Sequence, residues 1–151
     1  MDEDLARRVA HLEDRLAIQD LRHTYWLSHV ERDLETMLGC YAEDAHSEFG
    51  FGIDLRGIEQ LRSFYQKHMT NPDLVVQVPF GTNGLVKLVD ENNAEGSWLI
   101  SVAVVKKNQE HGMRNNVRYH EKYKRAAGVW KISYQLVDFL FFEQIELLKA
   151  P

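Results

Sequence analysis

Two hydrophobic periodicities divide the chain. Leu5, Val9, Leu12 and Leu16 recur at four- and three-residue steps with charges between them, a heptad-like stripe. The pattern continues less strictly through Leu21, Tyr25 and Ser28 or His29, which predicts one long helix over about residues 4–31. Its first two turns lie far from the rest of the apolar pattern and are expected to pack on a second subunit. Asp33 can cap a short second helix carrying Leu34, Met37, Leu38 and Tyr41. Ala45 to Phe51 then reads as extended, bent by Gly50 and Gly52. A third helix follows Gly57, with Ile58, Leu61, Phe64, Tyr65 and His68 on or near one face, and Thr70-Asn71-Pro72 ends it.

Beyond that proline the periodicity changes. Leu74–Val78, Leu85–Val89, Ser97–Val105, Val117–Tyr123 and Trp130–Phe142 are rich in β-branched and aromatic residues. Turn signals separate them at Asp90-Glu91-Asn92-Asn93, His111-Gly112 and Ala127-Gly128. Helices first and a strand meander afterwards predict an α+β fold, a strongly curved antiparallel sheet wrapped around N-terminal helices with an internal pocket. Residues 1–151 are read as a single domain, with no linker or internal repeat.

Composition narrows the function classes. The 151 residues are 44% hydrophobic and 27% charged with a net charge of -5, and no basic block favours nucleic acid. The single cysteine, Cys40, excludes an internal disulfide and a CxxC site, and reads as a small core residue. The charged N-terminus lacks a signal-peptide core, and the apolar run Leu136–Phe142 is too short to span a bilayer. The expected setting is the cytoplasm, without membrane contact. No HExxH or dense His–carboxylate cluster is present, so no metal and no cofactor is expected.

Several phrases resemble the SnoaL-like proteins of the nuclear-transport-factor-2-like superfamily. They are Ile18–Ala45 with Tyr25, Asp33 and Cys40-Tyr41-Ala42-Glu43-Asp44-Ala45, then Gly57 before an amphipathic helix. Tyr119-His120-Glu121-Lys122 and Gly128-Val129-Trp130-Lys131-Ile132 complete the set. The resemblance implies a cone-shaped α+β barrel whose characterised members include dehydratases, a dehydrochlorinase, an isomerase and polyketide cyclases. Most remove a proton from carbon in an apolar cone without metal or organic cofactor. It also implies an aspartate five residues after the tyrosine and a histidine four residues before an asparagine on the first long strand. Asn83 matches that asparagine, but Val30 and Pro79 occupy the two dyad positions. Either the catalytic set has moved or the chemistry differs.

The candidates for a relocated set are Tyr25 and His29 on the long helix and Arg118 and His120 on a strand, with Asn83, Trp26, Phe49, Phe80 and Trp98 binding substrate. A neutral imidazole accepts a proton near physiological pH, and arginine or tyrosine donors stabilise an oxyanion. Each has a plainer reading. Tyr25 also fits a core tyrosine with one satisfied hydroxyl, and His29 a surface or interface histidine. Arg114, Asn116, Arg118 and His120 alternate along one strand face that can equally be solvated. His46 and Glu48 share a face as well, and a solvated pair is the plainer account. His68 is placed at the mouth of the cone or on the surface.

The function expected is a cofactor-independent lyase or isomerase acting on a small hydrophobic, aromatic or polycyclic, substrate. The alternative is a non-catalytic ligand-binding or assembly module. A third, weaker reading is the β subunit of a ring-hydroxylating dioxygenase. A homodimer or higher homo-oligomer is expected by analogy.

Overall fold

A computed structural model describes residues 2–147. Helix α1 spans Glu3–Glu31, started by the Asp2 side chain and ended by Arg32 in the left-handed region. Asp33 accepts hydrogen bonds from the Thr36 backbone N–H and hydroxyl, so it caps α2, Leu34–Gly39. Strands β1 (Tyr41–Gly50) and β2 (Ile53–Arg56) form a hairpin around Gly50–Gly52. Helix α3, Ile58–Met69, stops just before Thr70 and Pro72. The remaining chain is four long strands, β3 (Leu74–Leu88), β4 (Asn93–Lys106), β5 (His111–Ala126) and β6 (Val129–Glu146).

These strands build one curved six-stranded sheet in the order β2-β1-β6-β5-β4-β3. It is not closed, since β2 and β3 are its edges. All neighbours are antiparallel except β1 and β6, which run parallel because β1 enters the sheet from the helical half of the chain. Three expectations about strands change. Leu74–Val78 and Leu85–Val89 belong to one strand: Gly81–Gly84 forms an irregularity within β3 instead of a break, with Asn83 at φ 51. His111 and Gly112 are not a turn, because they pair with Glu146 and Ile145, and the turn lies just upstream around Asn108. Tyr41 to Asp44 join β1 ahead of the expected start at Ala45.

The core lies between the helices and the inner face of the sheet. Ile18, Met37, Ala45, Leu61 and Ile132 are fully buried there. Two glycines set the approach of the layers. A Cβ at Gly81 would fall 2.0 Å from the Trp26 ring, and one at Gly84 would fall 2.0 Å from the Trp98 ring. Only glycine lets β3 pass this close to both indoles, which themselves meet edge to face at 5.4 Å.

Strand alternation decides which residues face inward. On β5, Val117, Tyr119, Glu121 and Tyr123 are buried, while Arg118 and Lys122 are exposed. The inner face is therefore the odd-numbered one.

Candidate active site

The site has two layers. The deeper one is a polar network sealed inside the core. Arg22 of α1 and Glu121 of β5 are both fully buried, with Arg22 Nη1 3.0 Å from Glu121 Oε1. The contact is an ion pair, and no guanidinium nitrogen has a hydrogen-bond acceptor. Aromatic faces enclose the cation instead: its central carbon lies 4.4 Å from the Tyr25 ring, 4.8 Å from Trp26 and 5.2 Å from Tyr119. Burial opposes the charge on Arg22, but Glu121 and the surrounding tyrosines outweigh it and hold the guanidinium protonated.

Glu121 is well satisfied from the other side. Gln135 Nε2 donates to its Oε1 at 2.7 Å, and the Tyr123 hydroxyl donates to its Oε2. Trp98 Nε1 donates to Tyr123 at 2.8 Å. The Tyr41 hydroxyl donates to Gln135 Oε1 at 2.8 Å and meets the Tyr65 hydroxyl at 2.9 Å, which meets that of Tyr25 at 2.6 Å. A continuous chain thus links Glu121 to Tyr25 through Gln135, Tyr41 and Tyr65. Burial pushes the phenols of Tyr25, Tyr41, Tyr65 and Tyr123 well above their usual range, so all four stay neutral. Cys40, likewise pushed up by burial to about 11, is an inert thiol.

The second layer is a cavity of about 240 Å³ at the open end of the sheet. Phe49, Phe64, Val102, Val137 and Phe139 supply most of its apolar wall. Phe49 and Phe64 stack at 5.1 Å. Polar groups enter from four elements: His29 from α1, Tyr65 and His68 from α3, Gln77 from β3, and Asn115 with Tyr119 from β5. His68 Nε2 and Gln77 Oε1 are hydrogen-bonded. His29 packs edge-on against Tyr25 at 4.9 Å and Tyr65 at 5.6 Å, and its buried Nδ1 has no partner. Burial, with smaller contributions from His68 and Arg22, lowers its pKa to about 3. The imidazole is therefore neutral at physiological pH, and it lines the cavity while its Nδ1 is turned into the packed interior.

The sequence candidates distribute unevenly over this geometry. His29 and Phe49 line the cavity. Tyr25, Trp26 and Trp98 lie buried in the packed layer beneath it. Arg118 and His120 sit on the even-numbered, outer face of β5, opposite Asp138 and Leu136 of β6. Asn83 is exposed at the β3 irregularity, and Phe80 is an exposed ring in a shallow outer groove with Leu99 and Phe141. Val30 is exposed on α1 and Pro79 is half-buried on β3. His46 pairs with Asp54 at 3.0 Å and Glu48 accepts from Tyr134, away from the cavity. Asp44 pairs with Lys124.

Sequence reasoning missed the Arg22–Glu121 pair and the cavity roles of Tyr65, Gln77 and Asn115. One signal was present: Val117, Tyr119 and Tyr123 make the odd face of β5 the apolar one, so Glu121 had to be buried with them. Among the described residues no cluster of His, Cys, Asp and Glu could hold a metal ion, and no helix is long and apolar enough to cross a membrane.

Comparisons with known proteins agree with this architecture. The sequence profile of the SnoaL-like domain matches residues 10–135. A provisionally assigned scytalone dehydratase from Novosphingobium aromaticivorans superposes with a TM-score of 0.85 at 12% identity, covering 95% of each chain. The hexachlorocyclohexane dehydrochlorinase LinA-type3 from Novosphingobium barchaimii gives 0.80 at 19% identity, over 95% of this chain and 99% of its own. A provisionally assigned aromatic ring hydroxylase from N. aromaticivorans gives 0.79 at 26%, over 88% of this chain and 94% of its own. No match is found among curated proteins. With the profile spanning most of its length and the same helices-and-curved-sheet architecture in its structural neighbours, the chain belongs to the SnoaL-like family.

Proposed function

We propose that the protein is a cofactor-independent lyase or isomerase that removes a proton from a carbon acid bound in the cavity. The observation that carries this reading is His29: a neutral imidazole lining a mostly apolar cavity. Its affinity for a proton is low because burial penalises the cation. A carbanion or enolate forming beside it supplies the missing counter-charge and raises that affinity as the proton moves. Asn115 and the His68–Gln77 pair supply hydrogen-bond donors on the cavity wall for the oxyanion or leaving group. The rings of Phe49 and Phe64 offer a flat apolar surface for the substrate. Membership of the SnoaL-like family and the dehydratase and dehydrochlorinase among its structural neighbours support the same reaction class.

The volume favours a single-ring substrate. About 240 Å³ lies below the range usual for drug-sized ligands, and a dry engineered cavity of about 150 Å³ already admits benzene. The replaced dyad positions, Val30 and Pro79, favour a second reading in which the cavity binds a ligand without turning it over.

Hydrogen–deuterium exchange separates the two readings. A panel of cyclic ketones, nitriles and halogenated rings is incubated with the protein in D2O, and deuterium at the acidic carbon is followed by mass spectrometry. Exchange catalysed by the native chain and lost in His29→Gln is expected. Ligand binding without exchange moves the assignment to a binder, and exchange that persists in His29→Gln removes His29 as the base.

A further inference from the structure

The heptad stripe of α1 faces away from the body of the protein. Asp14 marks the docked side of the helix, accepting hydrogen bonds from Arg125 and from Trp130 Nε1. Ile18 and Arg22, on the same side, are fully buried. Leu5, Val9, Leu12 and Leu16 lie on the opposite side, between 39% and 59% exposed, and Leu27 and Val30 extend that exposed face toward the end of the helix. Isolated exposed apolar residues are ordinary, but six on one helix face form a surface suited to a partner.

The charges beside the stripe identify the partner. With Val9 and Leu16 at heptad position a and Leu5 and Leu12 at d, Arg8 and Arg15 fall at g and Glu13 and Asp20 at e. All four are exposed, and none takes part in an ion pair among the described residues. In a parallel pair of helices, g of one strand meets the following e of the other. Arg8 then faces Glu13 of a second copy and Arg15 faces its Asp20, with each pair repeated by the two-fold axis. In an antiparallel pair, g meets g and e meets e, so arginines face arginines and carboxylates face carboxylates. The apolar positions agree: valine at an a position with leucine at d suits two parallel strands. We infer that α1 is the contact surface for a second copy of this chain, packed as a parallel, in-register helix pair along Leu5–Leu16 and flanked by Arg8–Glu13 and Arg15–Asp20 ion pairs. None of the residues lining the cavity belongs to the Leu5–Leu16 stripe, so the pairing is independent of the proposed chemistry.

Cysteine cross-linking of the full chain tests both contact and direction, because the only native cysteine, Cys40, is buried. Leu5→Cys and Leu12→Cys, each alone, are expected to form a disulfide-linked dimer on mild oxidation. Sedimentation should show the native chain as a dimer, and Leu12→Glu as a monomer with unchanged circular dichroism. Arg8→Glu with Arg15→Glu should weaken the dimer about tenfold in Kd, and adding Glu13→Arg with Asp20→Arg should restore it. A monomeric native chain overturns the inference, as does a dimer that survives Leu12→Glu. Cross-linking seen only when Leu5→Cys and Leu16→Cys are combined in one chain shows antiparallel packing and overturns the parallel register.

Discussion

The two layers of the site use similar residue types in opposite ways. In the sealed layer the hydroxyls of Tyr25, Tyr41, Tyr65 and Tyr123 all have partners, and the charge of Arg22 is answered by Glu121 and three aromatic faces. At the cavity, His29 and Asn115 stand in a mostly apolar wall without a side-chain hydrogen bond among the described residues. Charge-paired groups packed away from any space are chemically silent, whereas polar side chains lining an apolar cavity are placed to meet a ligand. Tyr65 belongs to both, since its ring lines the cavity while its hydroxyl bonds inward to Tyr25 and Tyr41.

The contrast is broken most severely at Glu121. Glu121→Leu strands the Arg22 cation among aromatic rings and is expected to cost about 3–5 kcal/mol of stability in urea denaturation. Arg22→Met combined with Glu121→Leu should recover a large part of that loss. If the double variant is no better than the single one, the two charges do not act as a pair.

His29→Gln should do the reverse. Stability at neutral pH should change little, while the proposed proton transfer falls at least about a hundredfold, read as the initial rate of deuterium uptake. Acid titration sharpens the same point. The unfolded chain takes up a proton near pH 6.5, which the native imidazole refuses until about pH 3. His29 therefore contributes its full stabilising term above pH 6.5, and that term is lost progressively as pH falls through the window to 3. Native protein should lose about 4 kcal/mol more than His29→Gln between these limits in chemical denaturation at stepped pH.

Tyr65→Phe removes the hydroxyl that joins Tyr25 to Tyr41 and leaves the ring in the cavity wall. A loss of about 1–2 kcal/mol is expected, with ligand affinity nearly intact by calorimetry. The smallest effects belong to the outer face. Arg118→Ala and His120→Ala should each change stability by less than about 0.5 kcal/mol and leave exchange rates unaltered. A strong loss of exchange in either variant would place the chemistry on the opposite side of the sheet.

Legibility in the sequence followed the range of the interactions. The helices could be read because their signals are local: the stripe from Leu5, the Asp33 cap and the Pro72 stop each act within a turn or two. The long strands were legible from β-branched and aromatic runs, although Gly81–Gly84 looked like a break. Glycines there serve the close approach of Trp26 and Trp98, which are far away in sequence. His29 could be named because it is an imidazole next to the vacated position at Val30, and Phe49 because it is an aromatic residue suited to an apolar cavity. Arg118 and His120 were chosen for their chemistry, against the alternation that buries Val117, Tyr119 and Tyr123.

The amino-acid order by itself therefore determined the elements, the family and the apolar character of each face, since periodicity and capping are nearest-neighbour properties of the backbone. Tertiary structure alone decided which polar groups meet. Arg22 of α1 finds Glu121 of β5, and Tyr41 of β1 finds Gln135 of β6, because the curved sheet brings together residues about a hundred positions apart in the chain. The same curvature opens the cavity beside His29 and turns the Leu5–Leu16 stripe outward. No local pattern encodes the distance between residues on different elements; that distance follows from how the whole sheet bends and packs.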